Sequence, residues 1–343
     1  MDTQIITNPS DQELDMLARA LRNGELASIP TETVYGLGAN GLDPEAMDKI
    51  YAAKGRPSDN PLILHVPNSE SIKPLVTEVS KTAQLLMDTF WPGPLTITLP
   101  KSDLVPDRAT GGLPRVALRC PDHKVCRVLL ERAGVPVAAP SANISGRPSP
   151  TTAQDVYHDM NGRISYILDA GPCTIGVEST VVEVHDDKVI ILRPGGITKA
   201  QLKNVVSTVE YDTALVNATT KPKAPGMKYT HYAPDAPMTV VVGNPEVIAS
   251  TFKELSEGIE GPIGCLVSHE TYDLIKDDTR FMYHCFGHHG DALSLGHDFY
   301  KSLLHFNENH VTLILAEGVN DDGFGVAIMN RMEKASSHHI IYK

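Results

Sequence analysis

The chain has 343 residues, 41% hydrophobic and 21% charged, with a net charge of −12; one core rarely fills that length, so two domains are expected. No apolar run is long enough to cross a membrane, and the acidic, polar start MDTQIITNPSDQELD lacks the pattern of a signal or transit peptide. The acidic balance weighs against broad non-specific nucleic-acid binding. Five cysteines without a CxxC pair weigh against a disulfide framework or a zinc ribbon and point to a reducing cytoplasm.

In chain order, Leu14, Leu17, Ala18 and Leu21 form the apolar face of a helix over 11–23, ended by Gly24. Strand-like runs follow near 26–30, 61–66, 94–99, 115–119, 135–139, 165–169, 179–185 and 188–193. Helices are predicted between them at 43–54, 79–89, 122–133, 151–158 and 198–205, the first opened by Asp43 as N-cap and Pro44. STVVEVH and KVIILRP flank Asp186-Asp187 and read as a hairpin. Residues 1–212 therefore predict an α/β domain on a mixed sheet. Residues 213–234 have no apolar periodicity and carry only lysine among the charged types, which reads as a linker. Residues 235–343 resume the alternation: MTVVV, a helix at 245–257, IGCLVS, a short helix near 270–276, RFMYHCF, a long helix at 291–308, and VTLILAEG. They predict a smaller Rossmann-like open α/β domain. Charge is segregated, −6 over 1–212, +3 over the linker and −9 beyond it, so a polyanion would have to meet the first domain or the linker.

The richest stretch for chemistry is 29–66. Gly36-Leu-Gly38-Ala-Asn-Gly41 satisfies GxGxxG, but the predicted helix starts at Asp43, after the last glycine. A tight backbone turn fits better than a dinucleotide site. No GxxxxGK[ST] occurs, and CFGHHG at 285–290 reads as an exposed loop ahead of a metal site. Lys54-Gly55-Arg56 with Ser58 and Asn60 would, alone, be a capped helix end with solvated charges. The same chemistry recurs, however, at other strand ends: Arg119 ends RVALRC, Ser141 and Asn143 follow VPVAAP, Ser179 and Thr180 follow GVE, and Arg193 ends KVIILRPG. Open α/β sheets bind ligands outside strand ends, and converging arginines and a lysine there would clamp phosphate. Ser149, in SANISGRPSPT, adds a hydroxyl near turn amides, while His65 after its apolar strand fits either a core or a site. No Ser-His-Asp or Cys-His triad is recognisable, which points to catalysis by positioning and charge stabilisation.

PTETVYGLG, KGRPSDNPLILHV, WPGPLT, LRCP, APSANISGRPSPT, GVESTVV and LRPGG, in that order, resemble the YrdC/TsaC family, the threonylcarbamoyl-AMP synthases. PGMKYTHYAP and GFGVAIMNRMEKAS resemble the long form with an additional C-terminal domain. The resemblance implies a nucleotidyltransferase making L-threonylcarbamoyladenylate and pyrophosphate from L-threonine, bicarbonate and ATP with Mg²⁺, the ion carried mainly by the ATP phosphates. The product would pass to a tRNA threonylcarbamoyl transferase acting at position 37 of ANN-decoding tRNAs. By the resemblance, Lys54, Arg56, Ser141 and Asn143 are catalytic. Thr33, His65, Arg119, Ala139 and Ser179 surround threonine and its carbamate. Arg56, Asn60, Arg115, Ser141, Ser149, Arg193 and Tyr232 (or Tyr229) surround ATP. Arg115 departs from the threonine often found at its position. The linker would fold over the ATP site as a lid. Alternatives are a tRNA- or double-stranded-RNA-binding protein using the same basic cleft, and a carbamoyl-transfer role like that of the HypF hydrogenase maturases. The latter add acylphosphatase and zinc-finger segments not visible here.

Overall fold

Residues 2–57, 60–215 and 231–343 are described in the computed structural model. The chain divides into two units: Met1–Ser145, Ser149–Thr174 and Glu178–Tyr229 in one, Gly146–Pro148, Ile175–Val177 and Thr230–Lys343 in the other. Ser58, Tyr229 and most of the expected linker lie outside the described residues.

The first unit runs β1 (Gln4–Thr7), α1 (Asp11–Arg22), β2 (Ala27–Ile29), β3 (Gly36–Asn40), α2 (Pro44–Lys54), β4 (Ile63–His65), α3 (Lys81–Phe90), β5 (Leu95–Pro100), α4 (Asp107–Thr110) and β6 (Arg115–Arg119). It continues with α5 (Lys124–Ala133), β7 (Val137–Ala138), α6 (Ala153–Met160), β8 (Tyr166–Asp169), β9 (Thr180–Val184), β10 (Lys188–Arg193), α7 (Lys199–Lys203) and β11 (Thr208–Tyr211). These strands form one mixed sheet of eleven, ordered β1-β8-β2-β3-β7-β4-β6-β5-β9-β10-β11. The helix starts follow local chemistry. The Ser10 hydroxyl accepts from the Glu13 amide at the head of α1, and Asp43 accepts from the Glu45 amide with Pro44 in the first turn of α2. Leu14, Leu17, Ala18 and Leu21 bury against Cys126, Leu129 and Leu130 of α5, as their spacing predicts. The hairpin is present, with β9 and β10 antiparallel and Val184 opposite Val189.

Two sequence expectations are corrected. Gly36–Asn40 is a strand, not a tight turn, paired antiparallel to β2 on one side and β7 on the other. Its glycines serve close approach: a Cβ on Gly38 would stand 2.9 Å from Val137 Cγ1 and 3.1 Å from the Ala27 carbonyl. Second, β1 and β11 are unpredicted strands, and both are edges of the sheet, where strands are short and half-exposed.

The second unit comprises β12 (Met238–Val242), α8 (Pro245–Leu255), β13 (Ile263–Val267), α9 (His269–Ile275), β14 (Phe281–Cys285), α10 (Ala292–Glu308), β15 (Leu313–Glu317), α11 (Gly325–Ala335) and β16 (Ile340–Tyr342). All five strands are parallel, ordered β14-β13-β15-β12-β16, which is the open Rossmann-like sheet the alternation predicts. α11 and the edge strand β16 are additions the periodicity did not reveal. Among the described residues no helix is long and apolar enough to cross a membrane, and the five cysteines are free.

Candidate active site

The chemistry-bearing residues of the first unit gather in three bonded groups. The first is built on the end of α2. Gly55 takes a left-handed conformation (φ 60°) that closes the helix, and the Arg56 amide returns to the Tyr51 carbonyl. Lys54, 3% exposed, sends its ammonium to the carbonyls of Ser141 and Asn143, the latter at 2.6 Å. Burial, and then the charge of Arg56, hold the Lys54 pKa well below the usual lysine value. Lys54 therefore ties the SANIS loop to α2. The same loop is held from behind by Asp159, whose carboxylate accepts from the Ile144 amide at 3.0 Å. Asn143 is buried and donates through Nδ2 to the Ile144 carbonyl. Ser141 bridges to Gly36 of β3. Asn60 is 2% exposed, and its Nδ2 has no hydrogen-bond partner among the described residues.

The second group centres on Arg119, the last residue of β6. Its guanidinium, 4% exposed, pairs through Nη2 with Glu32 at 2.7 Å and donates weakly through Nε to the Gly93 carbonyl at 3.4 Å. His65, directly opposite Arg119 in the β4–β6 pairing, donates from Nδ1 to the Ile63 carbonyl at 3.2 Å. Burial, with the Arg119 charge adding to it, depresses the His65 pKa to about 3, so the ring is neutral. Thr33 is fully buried, its hydroxyl 2.9 Å from that of Thr31. Ala139 lies against Gly36 and donates its amide to the Ile63 carbonyl.

The third group joins β9 and β10. Arg193 donates from Nε and Nη2 to the Ser179 carbonyl at 3.2 and 2.9 Å, and from Nη2 to the Ser179 hydroxyl. That hydroxyl is also 2.7 Å from Thr96 Oγ1. Ser149, 1% exposed, donates to the buried Glu178 carboxylate at 2.7 Å. The second and third groups are joined by one loop, since Gly93 touches Arg119 and the Pro94 carbonyl accepts from the Thr180 amide. Ala139 joins the first two groups.

Two expected ATP residues stand apart from these groups. Arg115 is half-buried, donating from Nη2 to the carbonyls of Thr98 and Val184 at 2.8 Å each; burial lowers its pKa. It rims a cavity of about 270 Å³ lined by Pro61, Thr98, Leu113, Val181 and Leu192. Tyr232 belongs to the second unit, 5% exposed, with its ring 5.3 Å from that of Tyr300 and under the Arg331 guanidinium.

Sequence reasoning missed the buried carboxylates Glu32, Asp159 and Glu178. A signal existed for two of them. Glu32 and Glu178 each interrupt a run of apolar residues and small hydroxyls, IPTETVYGL and GVESTVV, where burial is otherwise continuous. Among the described residues no group of three His, Cys, Asp or Glu converges, in the histidine-rich loop of the second unit or elsewhere. In that loop His288 pairs with Glu270 and His289 with the buried Glu317. The cations Lys54, Arg119 and Arg193 are 3%, 4% and 4% exposed, out of reach of a nucleic-acid backbone.

An α/β unit whose buried cations and hydroxyls bracket neutral and acidic partners offers the groups that a small charged ligand needs. Comparison narrows the class. Residues 19–195 match the family profile described as Telomere recombination, and residues 197–337 match that of the threonylcarbamoyl-AMP synthase C-terminal domain. The chain belongs to the threonylcarbamoyl-AMP synthase family. It is 45% identical to the Bacillus subtilis threonylcarbamoyl-AMP synthase, covering 97% of this chain and 95% of that protein. To the Pyrococcus abyssi threonylcarbamoyl-AMP synthase it is 42% identical, over 96% and 95%. The crystal structure of P. abyssi Sua5 complexed with L-threonine matches with a TM-score of 0.90 and 40% identity over 100% of both chains.

Proposed function

We propose that this protein condenses L-threonine, bicarbonate and ATP into L-threonylcarbamoyladenylate, pyrophosphate and water. The observation that carries the reading is similarity over nearly the full length to proteins named for that reaction, and to the P. abyssi Sua5 crystallised with L-threonine. In the chemistry, the threonine ammonium and bicarbonate give a carbamate, water and one proton. A carbamate oxygen then attacks the α-phosphorus of ATP, and pyrophosphate leaves. Carbamates are labile, and a site whose polar groups are this deeply buried shields the intermediate from water.

In this reading Arg119 and Thr33 receive threonine beside the neutral His65, which adds no charge to repel its ammonium. Ser179 and Arg193 offer a preorganised hydroxyl and cation toward the carbamate and the phosphates, and the SANIS loop held by Lys54 offers turn amides. The unsatisfied Asn60 amide supports a ligand on that side, and the apolar slot beside Arg115 suits a purine. We read Mg²⁺ as arriving on the triphosphate, where it would neutralise phosphate charge. The free cysteines support a reducing cytoplasm. The linker we read as a lid over ATP, and the adenylate as the substrate of a tRNA threonylcarbamoyl transferase.

The test is pyrophosphate release from ATP with threonine and bicarbonate each present or omitted, with the nucleotide product identified by mass. Release that needs both, and a threonylcarbamoyl-adenylate mass, is the expected result. No turnover combined with salt-sensitive RNA binding would replace the synthase with an RNA-binding role.

A further inference from the structure

Glu32 sits one residue before Thr33, in the loop between β2 and β3, with 6% of its surface exposed. Its backbone is fixed, since its carbonyl accepts from the Thr174 amide at 3.1 Å. Its carboxylate reaches Nη2 of Arg119 at 2.7 Å. A charge buried to this depth persists only when paired, and loss of either partner strands the other.

The geometry of the guanidinium is informative. Nε faces the Gly93 carbonyl and Nη2 faces Glu32, so protein takes one edge of the planar fork and, among the described residues, Nη1 is left for a ligand. His65, opposite Arg119 in the strand pairing, is neutral and adds no charge to the pair, while Arg127 and Asp122, of opposite sign, lie in the wider surroundings. Arg119 and Glu32 together are thus a neutral pair, which suits a zwitterionic amino acid better than an isolated buried cation would. An unanchored arginine on a strand end would swing among its rotamers, and a carboxylate ligand would have to order it on binding.

We propose that Glu32 is a positioning residue. It holds Arg119 so that the free Nη1 edge meets the α-carboxylate of the substrate, and thereby sets the requirement for that carboxylate. The inference rests on threonine being the substrate, as read above.

The experiment is calorimetric binding of L-threonine and of L-threoninamide, whose carboxylate is replaced by a neutral amide, to the intact native protein and to Glu32→Gln. Native protein should prefer L-threonine. Glu32→Gln keeps the shape but removes the charge, and should cut that preference by about tenfold or more, the usual worth of a charged hydrogen bond. Pyrophosphate assays should show the KM for threonine rising while the KM for ATP stays unchanged. A merely structural role would weaken both ligands together, so an unchanged preference in folded Glu32→Gln overturns the proposal. Should that variant fail to fold, Glu32→Asp carries the test: it keeps the charge at shorter reach, a partial loss of preference supports the assignment, and an unchanged preference overturns it. Native protein that binds neither ligand would remove the substrate reading itself, an outcome distinct because it needs no variant.

Discussion

His65 makes the acid sensitivity of this fold partly a one-residue matter. Its unperturbed pKa of 6.5 falls to about 3 in the folded chain. Between those values the unfolded chain binds a proton that the native one refuses, so stability falls with acidity by at most about 1.4 kcal/mol per pH unit. Above the higher value neither state is protonated and the effect vanishes. His65→Asn removes the titrating group. The native protein should lose about 1 kcal/mol more stability than the variant between about pH 7 and about pH 5.5, read from urea unfolding; equal losses would mean that the ring is not held neutral. Lys54 predicts a kinetic effect. Because its ammonium caps two carbonyls of the SANIS loop, Lys54→Met should slow pyrophosphate release by roughly 10²-fold. Lys54→Arg should not rescue it, since a planar fork cannot take the place of a compact ammonium. A near-native rate in Lys54→Met would remove its role. At this scale Lys54, Arg119, Ser179 and Arg193 were legible because cations and hydroxyls at strand ends are unusual. Glu32 was marked in the sequence only as a break in an apolar run, and its pairing with Arg119 was not legible, because the two meet only in the folded sheet.

The elements place these side chains by contacts that tolerate no added atom. Gly195, just after β10, lies so close to the start of β9 that a Cβ would stand 2.3 Å from the Glu178 carbonyl and 2.4 Å from both the Ser179 carbonyl carbon and the Thr180 amide. All three are backbone atoms, so relief requires moving the segment that carries Ser179 into β9. Gly195→Ala is therefore expected to destabilise the protein by about 1–3 kcal/mol, as overpacking does. The larger loss should fall on activity, because the Ser179–Arg193 bonds move with that segment. Unfolding and pyrophosphate assays on the same preparation separate the two, and an active, native-like variant would show that the strands yield freely. Legibility at this scale follows burial pattern. The amphipathic helix α1 and the β9–β10 hairpin could be read directly from periodicity. β3 could not, because its Gly-rich, Asn-ended composition opposes strand formation and pairing on both edges overrides it. The missed strands β1, β11 and β16 are all sheet edges, where half-exposed positions blur the alternation.

For the whole molecule, length and charge segregation lead to an expectation of two domains and a basic connection between them, and the described residues form two sheets. What composition could not show is where Tyr232 packs. Its backbone is in the left-handed region (φ 66°), which a non-glycine residue adopts at a cost of order 1–3 kcal/mol, and its ring is fixed within the second unit by Tyr300 and Arg331. The far end of the linker is thus firmly seated, which a passive tether does not require. Two variants separate tether from lid. Deleting residues 222–234 should abolish adenylate synthesis while the first unit keeps its unfolding transition. Replacing 222–229 with Gly and Ser at equal length leaves Tyr232 in its seat and keeps the tether, but removes the specific sequence. A tether needs only length, so the replacement would remain active. A lid needs its own side chains over the nucleotide, so pyrophosphate release should fall as far as in the deletion, with the KM for ATP rising in any residual activity.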